Sequence, residues 1–110
     1  MTIEIMDPVT LGLSGAAGPV GTTVGSSTKR KYTKVTAFNG TGGPATLRIF
    51  LVPDGFPVTV LTQYVDYDMA VKETYNCPEC IGAALLAGGK MYASGAGISL
   101  SSVSSDLLNS

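Results

Sequence analysis

The chain has no histidine. That removes Ser-His and Cys-His nucleophilic pairs and every imidazole metal ligand, the arrangements that make most neutral-pH catalysis feasible. Tryptophan is absent too, so stacking surfaces rest on 5 Tyr and 3 Phe. Charge is scarce, at 14% of residues, well below the usual ~25% of soluble domains. The balance of 7 basic against 8 acidic residues gives a net charge of −1, with a pI near 5.1. Such a chain is poorly suited to embracing nucleic-acid phosphates. No stretch reaches the ~18 consecutive apolar residues of a membrane helix. The uncharged run from Pro8 to Thr28 is broken throughout by Gly, Ser, Thr and Pro. Met1 to Asp7 carries acids where a secretory signal would carry Lys or Arg, so neither a signal nor a membrane partner is expected.

What is present suits one modest domain. A chain of 110 residues and 11.3 kDa has a folded surface of roughly 5,700 Å² and buries about two-thirds of its extended surface. The hydrophobic share of 45% rules against disorder over the whole length. Positions that would carry charge on a small monomer are Gly, Ser, Thr or Ala, as expected of a subunit whose faces are covered by neighbours. With 14 Gly and 6 Pro among many Thr and Val, short strands and tight turns are favoured over helices. The predicted fold is all-β: a small antiparallel β-sandwich or jelly-roll-like barrel of about six to eight short strands with an extended N-terminal arm. The arm is residues 1–28 and the sandwich domain residues 29–110.

Within the arm, Thr2 to Met6 and Val9 to Leu13 read as strands, whereas Ser14 to Ser27 has almost no large side chains and little to offset its ordering entropy. Two readings stand: an arm ordered by lying on another subunit, with Ile3, Ile5, Val9, Leu11 and Leu13 as apolar anchors, or a loosely paired leader. Lys31 to Phe38 alternates, with Thr33, Val35 and Ala37 on one face. After the Gly-rich link Asn39 to Pro44, Ala45 to Val52 alternates again, and the two segments are expected to pair as a hairpin. Val35, Ala37, Leu47, Ile49 and Leu51 are the predicted core. Val58 to Tyr64 and Met69 to Tyr75 read as strands on either side of an acidic turn at Asp66 and Asp68. Ile81 to Ala87 reads as a short helical turn, Lys90 to Ala93 and Ile98 to Ser102 as strands, and Asp106 to Ser110 as a tail.

Chemistry-bearing residues are few. Cys77-Pro-Glu-Cys80 has the spacing of half a tetrahedral zinc site, of a redox disulfide, or of two thiols that fill space. With no other Cys and no His, zinc would need carboxylates or a second copy of the chain, and the space-filling reading is favoured. The cluster Lys29, Arg30, Lys31 and Lys34 is either a patch for an acidic partner or the Lys of a protected edge strand, and the latter is favoured. Asp66 and Asp68 lack the third carboxylate and the Gly of a calcium loop. No Ser or Thr has a general base. No catalytic residue, metal or cofactor is expected.

In this order the segments Lys34-Val-Thr-Ala-Phe-Asn39, Ala45-Thr-Leu-Arg-Ile-Phe-Leu-Val-Pro53, Leu85-Leu-Ala-Gly-Gly-Lys-Met-Tyr-Ala-Ser94 and Ile98 to Val103 resemble the short β-sandwich accessory proteins of tailed bacteriophage particles. The pattern covers about Lys31 to Ser104. Cys77 to Cys80 and the uncharged leader lie outside it. The resemblance implies a non-enzymatic virion protein: a repeated subunit of head surface, neck, collar or tail, assembled in the bacterial host cytoplasm. Its implied partners are copies of itself and another virion protein. Two other classes remain beside it. One is a ligand- or receptor-binding module for cell-surface carbohydrate, using Tyr64, Tyr67 and Tyr75. The other is a thiol or zinc protein using Cys77 and Cys80.

Overall fold

A computed structural model describes the backbone at residues 2–10 and 17–108, with side chains from 17 to 107. Among these residues the strands are β1 (Thr2–Thr10), β2 (Gly18–Val20), β3 (Thr28–Asn39), β4 (Ala45–Val52), β5 (Gln63–Met69), β6 (Thr74–Tyr75), β7 (Ala84–Leu85), β8 (Lys90–Ser94) and β9 (Ile98–Leu108). They form two antiparallel sheets packed as a sandwich. One sheet has the order β1-β9-β3, with β6 and β7 sharing the far side of β3; the other has the order β2-β8-β4-β5. The accessible surface is 5915 Å², close to what the mass alone implies.

The core lies between the sheets and contains all five predicted residues: Val35, Ala37, Leu47, Ile49 and Leu51 are buried, joined by Val65, Met69, Met91, Ile98 and Leu100. The expected hairpin is not there. β3 hydrogen-bonds β9, β6 and β7, whereas β4 hydrogen-bonds β5 and β8. The 40–44 link crosses from one sheet to the other, so Val35 and Ala37 face Leu47 and Ile49 across the core instead of lying beside them. Alternation reports only that one face of a strand is buried, and two strands facing each other satisfy it as well as two that pair. Asn39 fixes the crossing. Fully buried, its amide donates to the carbonyls of Gly43, Met69 and Ala70, and its side-chain oxygen accepts from the Thr41 amide and hydroxyl.

A bulge between Tyr32 and Lys34 shifts the register of β3 against β9. Up to Tyr32 the inward residues are Arg30 and Tyr32; beyond it they are Val35, Ala37 and Asn39. Thr33, expected inside with Val35, is therefore exposed, and Tyr32 is buried. Arg30 points inward as well, with its guanidinium on the Asp106 carboxylate at 2.8 Å and on the carbonyl of Thr22. Asp106, expected in a tail, belongs to β9. Nor is β3 an edge strand, since it has partners on both sides.

Three further segments differ from the sequence reading. Ala84–Leu85 pairs with β3 instead of forming a helical turn. Met69 to Tyr75 is interrupted by a turn in which Lys72 is left-handed at φ 64°, so Met69 ends β5 on one sheet and Thr74–Tyr75 pairs with β3 on the other. Asp66 and Asp68 stand on β5, not in a turn. Within the leader, Thr2–Thr10 pairs with β9 of its own chain, Gly18–Val20 pairs with β8, and Val20 and Val24 enter the core. Backbone pairing places Ile3 opposite Ser105, Ile5 opposite Val103 and Val9 opposite Leu100. Leu11 and Leu13 lie outside the described residues.

Candidate functional site

The largest departure from ordinary surface chemistry is the β4–β5 connection. Val58 to Tyr64 reads as a strand, yet Pro53 and Pro57 deny the preceding chain two backbone donors, and a built loop takes its place. The Phe56 amide donates to the Pro53 carbonyl, closing a turn. Thr59 and Thr62 then cap a single 3-10 turn over Val60–Thr62, the Thr62 hydroxyl accepting from the Thr59 amide and the Thr59 hydroxyl accepting from the Leu61 amide. This reciprocal capping holds apolar side chains out in water: Leu61 is 91% exposed, Val60 75% and Phe56 63%. Their hydrophobic face continues into a cleft of about 200 Å³ lined by Leu51, Pro53, Phe56, Pro57, Leu61 and Tyr64. The signal was legible in the sequence, since no charge occurs between Asp54 and Asp66.

A second locus closes the opening between β5 of one sheet and β6 of the other. Tyr67 and Tyr75 stack with ring centroids 3.9 Å apart and planes within 6°. The Tyr67 hydroxyl donates to Glu73 and the Tyr75 hydroxyl to both oxygens of Glu79 at 2.7 and 2.8 Å. The hydrogen bond to Glu73 raises the Tyr67 phenol, and the same bond lowers the Glu73 carboxyl. Burial first, and then Glu79, pushes the Tyr75 phenol up. Two of the three tyrosines considered for carbohydrate thus cover each other, and only Tyr64 stands beside the apolar cleft.

Below this stack, Cys77 precedes and Cys80 ends the 3-10 turn Pro78–Cys80, and both are fully buried, unpaired thiols in the core cluster. Burial is the main cause that pushes each thiol up to about 12, with Glu79 acting in the same direction. The Cys77 thiol lies 3.8 Å from the Tyr75 carbonyl. Thiols held protonated in an apolar site are poor nucleophiles and poor metal ligands. Among the described residues no three Cys, Asp or Glu side chains gather as a metal cage, and no helix is long and apolar enough to cross a membrane.

The predicted basic cluster divides. Arg30 turns into the sandwich, Lys29 is half-buried, and Lys31 and Lys34 are exposed on the outer face of the β1-β9-β3 sheet. On the other sheet Asp66 lies 3.5 Å from Arg48 and Asp68 accepts from the Thr46 hydroxyl.

No protein-family model matches the chain, and no curated protein matches it. Among solved structures it is similar to a chain in the structure of infectious bursal disease virus, Gx strain, at 8% identity and a TM-score of 0.44, over 98% of this chain and 32% of that one. It is similar to a chain of the Gt strain at 12% identity and a TM-score of 0.37, over 97% of this chain and 33% of that one. This chain therefore spans about a third of the length of either. Likeness at this level carries no functional weight.

Proposed function

We propose that this chain is a non-enzymatic structural subunit of a tailed bacteriophage particle, repeated many times on the head surface or in the neck or tail. The β4–β5 loop carries the reading. A monomer gains nothing by holding Leu61, Val60 and Phe56 in water on a capped turn, whereas burial of each against a neighbour contributes about 1.5–3 kcal/mol. The low charge content and the resemblance of the strand segments support the same reading. The work of such a subunit is mechanical: a rigid sandwich seated on the shell or tail by its apolar end, with copies of itself and another virion protein as partners. Assembly would take place in the host cytoplasm, and neither cofactor nor nucleic acid takes part. The carbohydrate-binding alternative retains one observation, Tyr64 beside the cleft, and predicts glycan binding lost on Tyr64→Ala.

The decisive experiment follows particle occupancy of the Val60→Asp/Leu61→Asp double variant. Both residues are exposed, so its thermal melt should match the parent while occupancy falls by about tenfold or more. A parent protein that is folded and has no affinity for any particle component removes the reading.

A further inference from the structure

We infer that copies of this chain associate head to tail through charge, the outer face of the β1-β9-β3 sheet of one copy receiving the β5 edge of the next. The inference rests on the repeated-subunit reading and names its lateral contact.

The β3 bulge creates the first half. Lys31 and Lys34 are three residues apart, an odd spacing that would place them on opposite faces of a regular strand. The extra residue at Thr33 turns both outward, opposite Ser105 and Val103 of β9. Those two positions are two residues apart, so the lysines are pitched about 7 Å along the sheet. Lys29 continues the row opposite Leu107. On β9 the outward positions are Ser99, Ser101, Val103, Ser105 and Leu107; the three serines leave room for a second protein surface to approach. Among the described residues no carboxylate pairs with Lys31 or Lys34.

The second half is β5. Asp66 and Asp68, both exposed, are also two residues apart and so share the pitch of about 7 Å. Glu73 and Glu79, held by the inward-facing Tyr67 and Tyr75, stand apart from this pair at the opening between the sheets. The partners of Asp68, Glu73 and Glu79 among the described residues are neutral: the hydroxyls of Thr46, Tyr67 and Tyr75 and the Ala70 amide. Among the described residues, the one ion pair in this group is that of Asp66 with Arg48, at 3.5 Å. A chain with a net charge of −1 thus carries a lysine row and a carboxylate pair of equal pitch on different faces. Two different surfaces meeting in this way make a heterologous contact, which builds rings or open rows.

Sedimentation of the full chain at low and high salt, beside two charge reversals, tests the contact. The parent should self-associate at low salt and lose association as salt screens the rows. Lys31→Glu/Lys34→Glu and Asp66→Lys/Asp68→Lys should each associate at least about tenfold more weakly, with unchanged melts. An equimolar mixture of the two should associate again, because each variant presents the complement of the other's altered row. Lys31→Gln/Lys34→Gln provides a neutral variant should either reversal fail to fold, and it should weaken association in the same direction. A parent that stays monomeric at low salt, or a mixture no stronger than its components, overturns the contact. A monomeric parent that still co-purifies with particles removes this contact and leaves the subunit reading standing.

Discussion

At the scale of single residues, the two thiols show how burial replaces chemistry. Cys77 and Cys80 are fully buried, and each has its pKa raised from 9.0 to about 12. A raised folded-state value means that the native chain holds these protons more tightly than the unfolded chain does. The contribution is complete below about pH 9 and is lost as pH climbs from there toward about 12. Urea midpoints should therefore fall more steeply across that interval for the parent than for Cys77→Ala/Cys80→Ala; parallel curves would show that the thiols are not held protonated. Ala is the closer replacement at both positions, because each Ser would desolvate a hydroxyl at about 1–3 kcal/mol, whereas Ala leaves only a small void.

At the scale of elements, the β4–β5 loop depends on the turn before β8. Gly88 has φ +85°, and a Cβ there would lie 2.5 Å from the Asp54 carboxyl carbon. Gly88→Ala should cost about 1–3 kcal/mol through left-handed strain and this clash, and it should speed proteolysis between Phe56 and Leu61. Adding Asp54→Gly should return the part due to the clash and leave the part due to φ; strictly additive melts would mean that the loop and turn are uncoupled. How far the elements were legible follows from what alternation encodes. It gave the inward faces of β4 and of the upper half of β3, and with them the core. It could not report partners, so two strands on opposite sheets read as a hairpin. It also failed at the bulge, where one extra residue exchanges the faces of Tyr32 and Thr33. The apolar loop left a partial signal, the uncharged stretch between Asp54 and Asp66 with its prolines, but Val58 to Tyr64 has the composition of a strand and so reads as one.

At the scale of the whole molecule, the two sheets are unequal in how they are tied together. The second sheet has one pair of consecutive strands, β4 with β5. The first is assembled around β9, which lies between β1 and β3 and carries the Asp106 carboxylate that neutralises buried Arg30. Removing β9 strips one sheet of its centre and breaks the buried Arg30–Asp106 ion pair, a change of the kind that costs about 3–5 kcal/mol by itself. A chain ending at Gly97 should accordingly show no cooperative melt; a sigmoidal transition from that fragment would mean that the β4-centred sheet folds alone.

The position of β9 in the chain also sets a clock. During synthesis, β1 and β3 leave the ribosome well before the strand that joins them, and among the described residues β1 has no other hydrogen-bonding partner in its sheet. For that interval both strands offer open backbone edges to any other nascent copy nearby, and pairing between such distant segments is slow. The scarcity of charge that suits covered faces in the finished protein is then a hazard. The three lysines at Lys29, Lys31 and Lys34 are the main electrostatic protection that β3 has until residues 98–108 arrive.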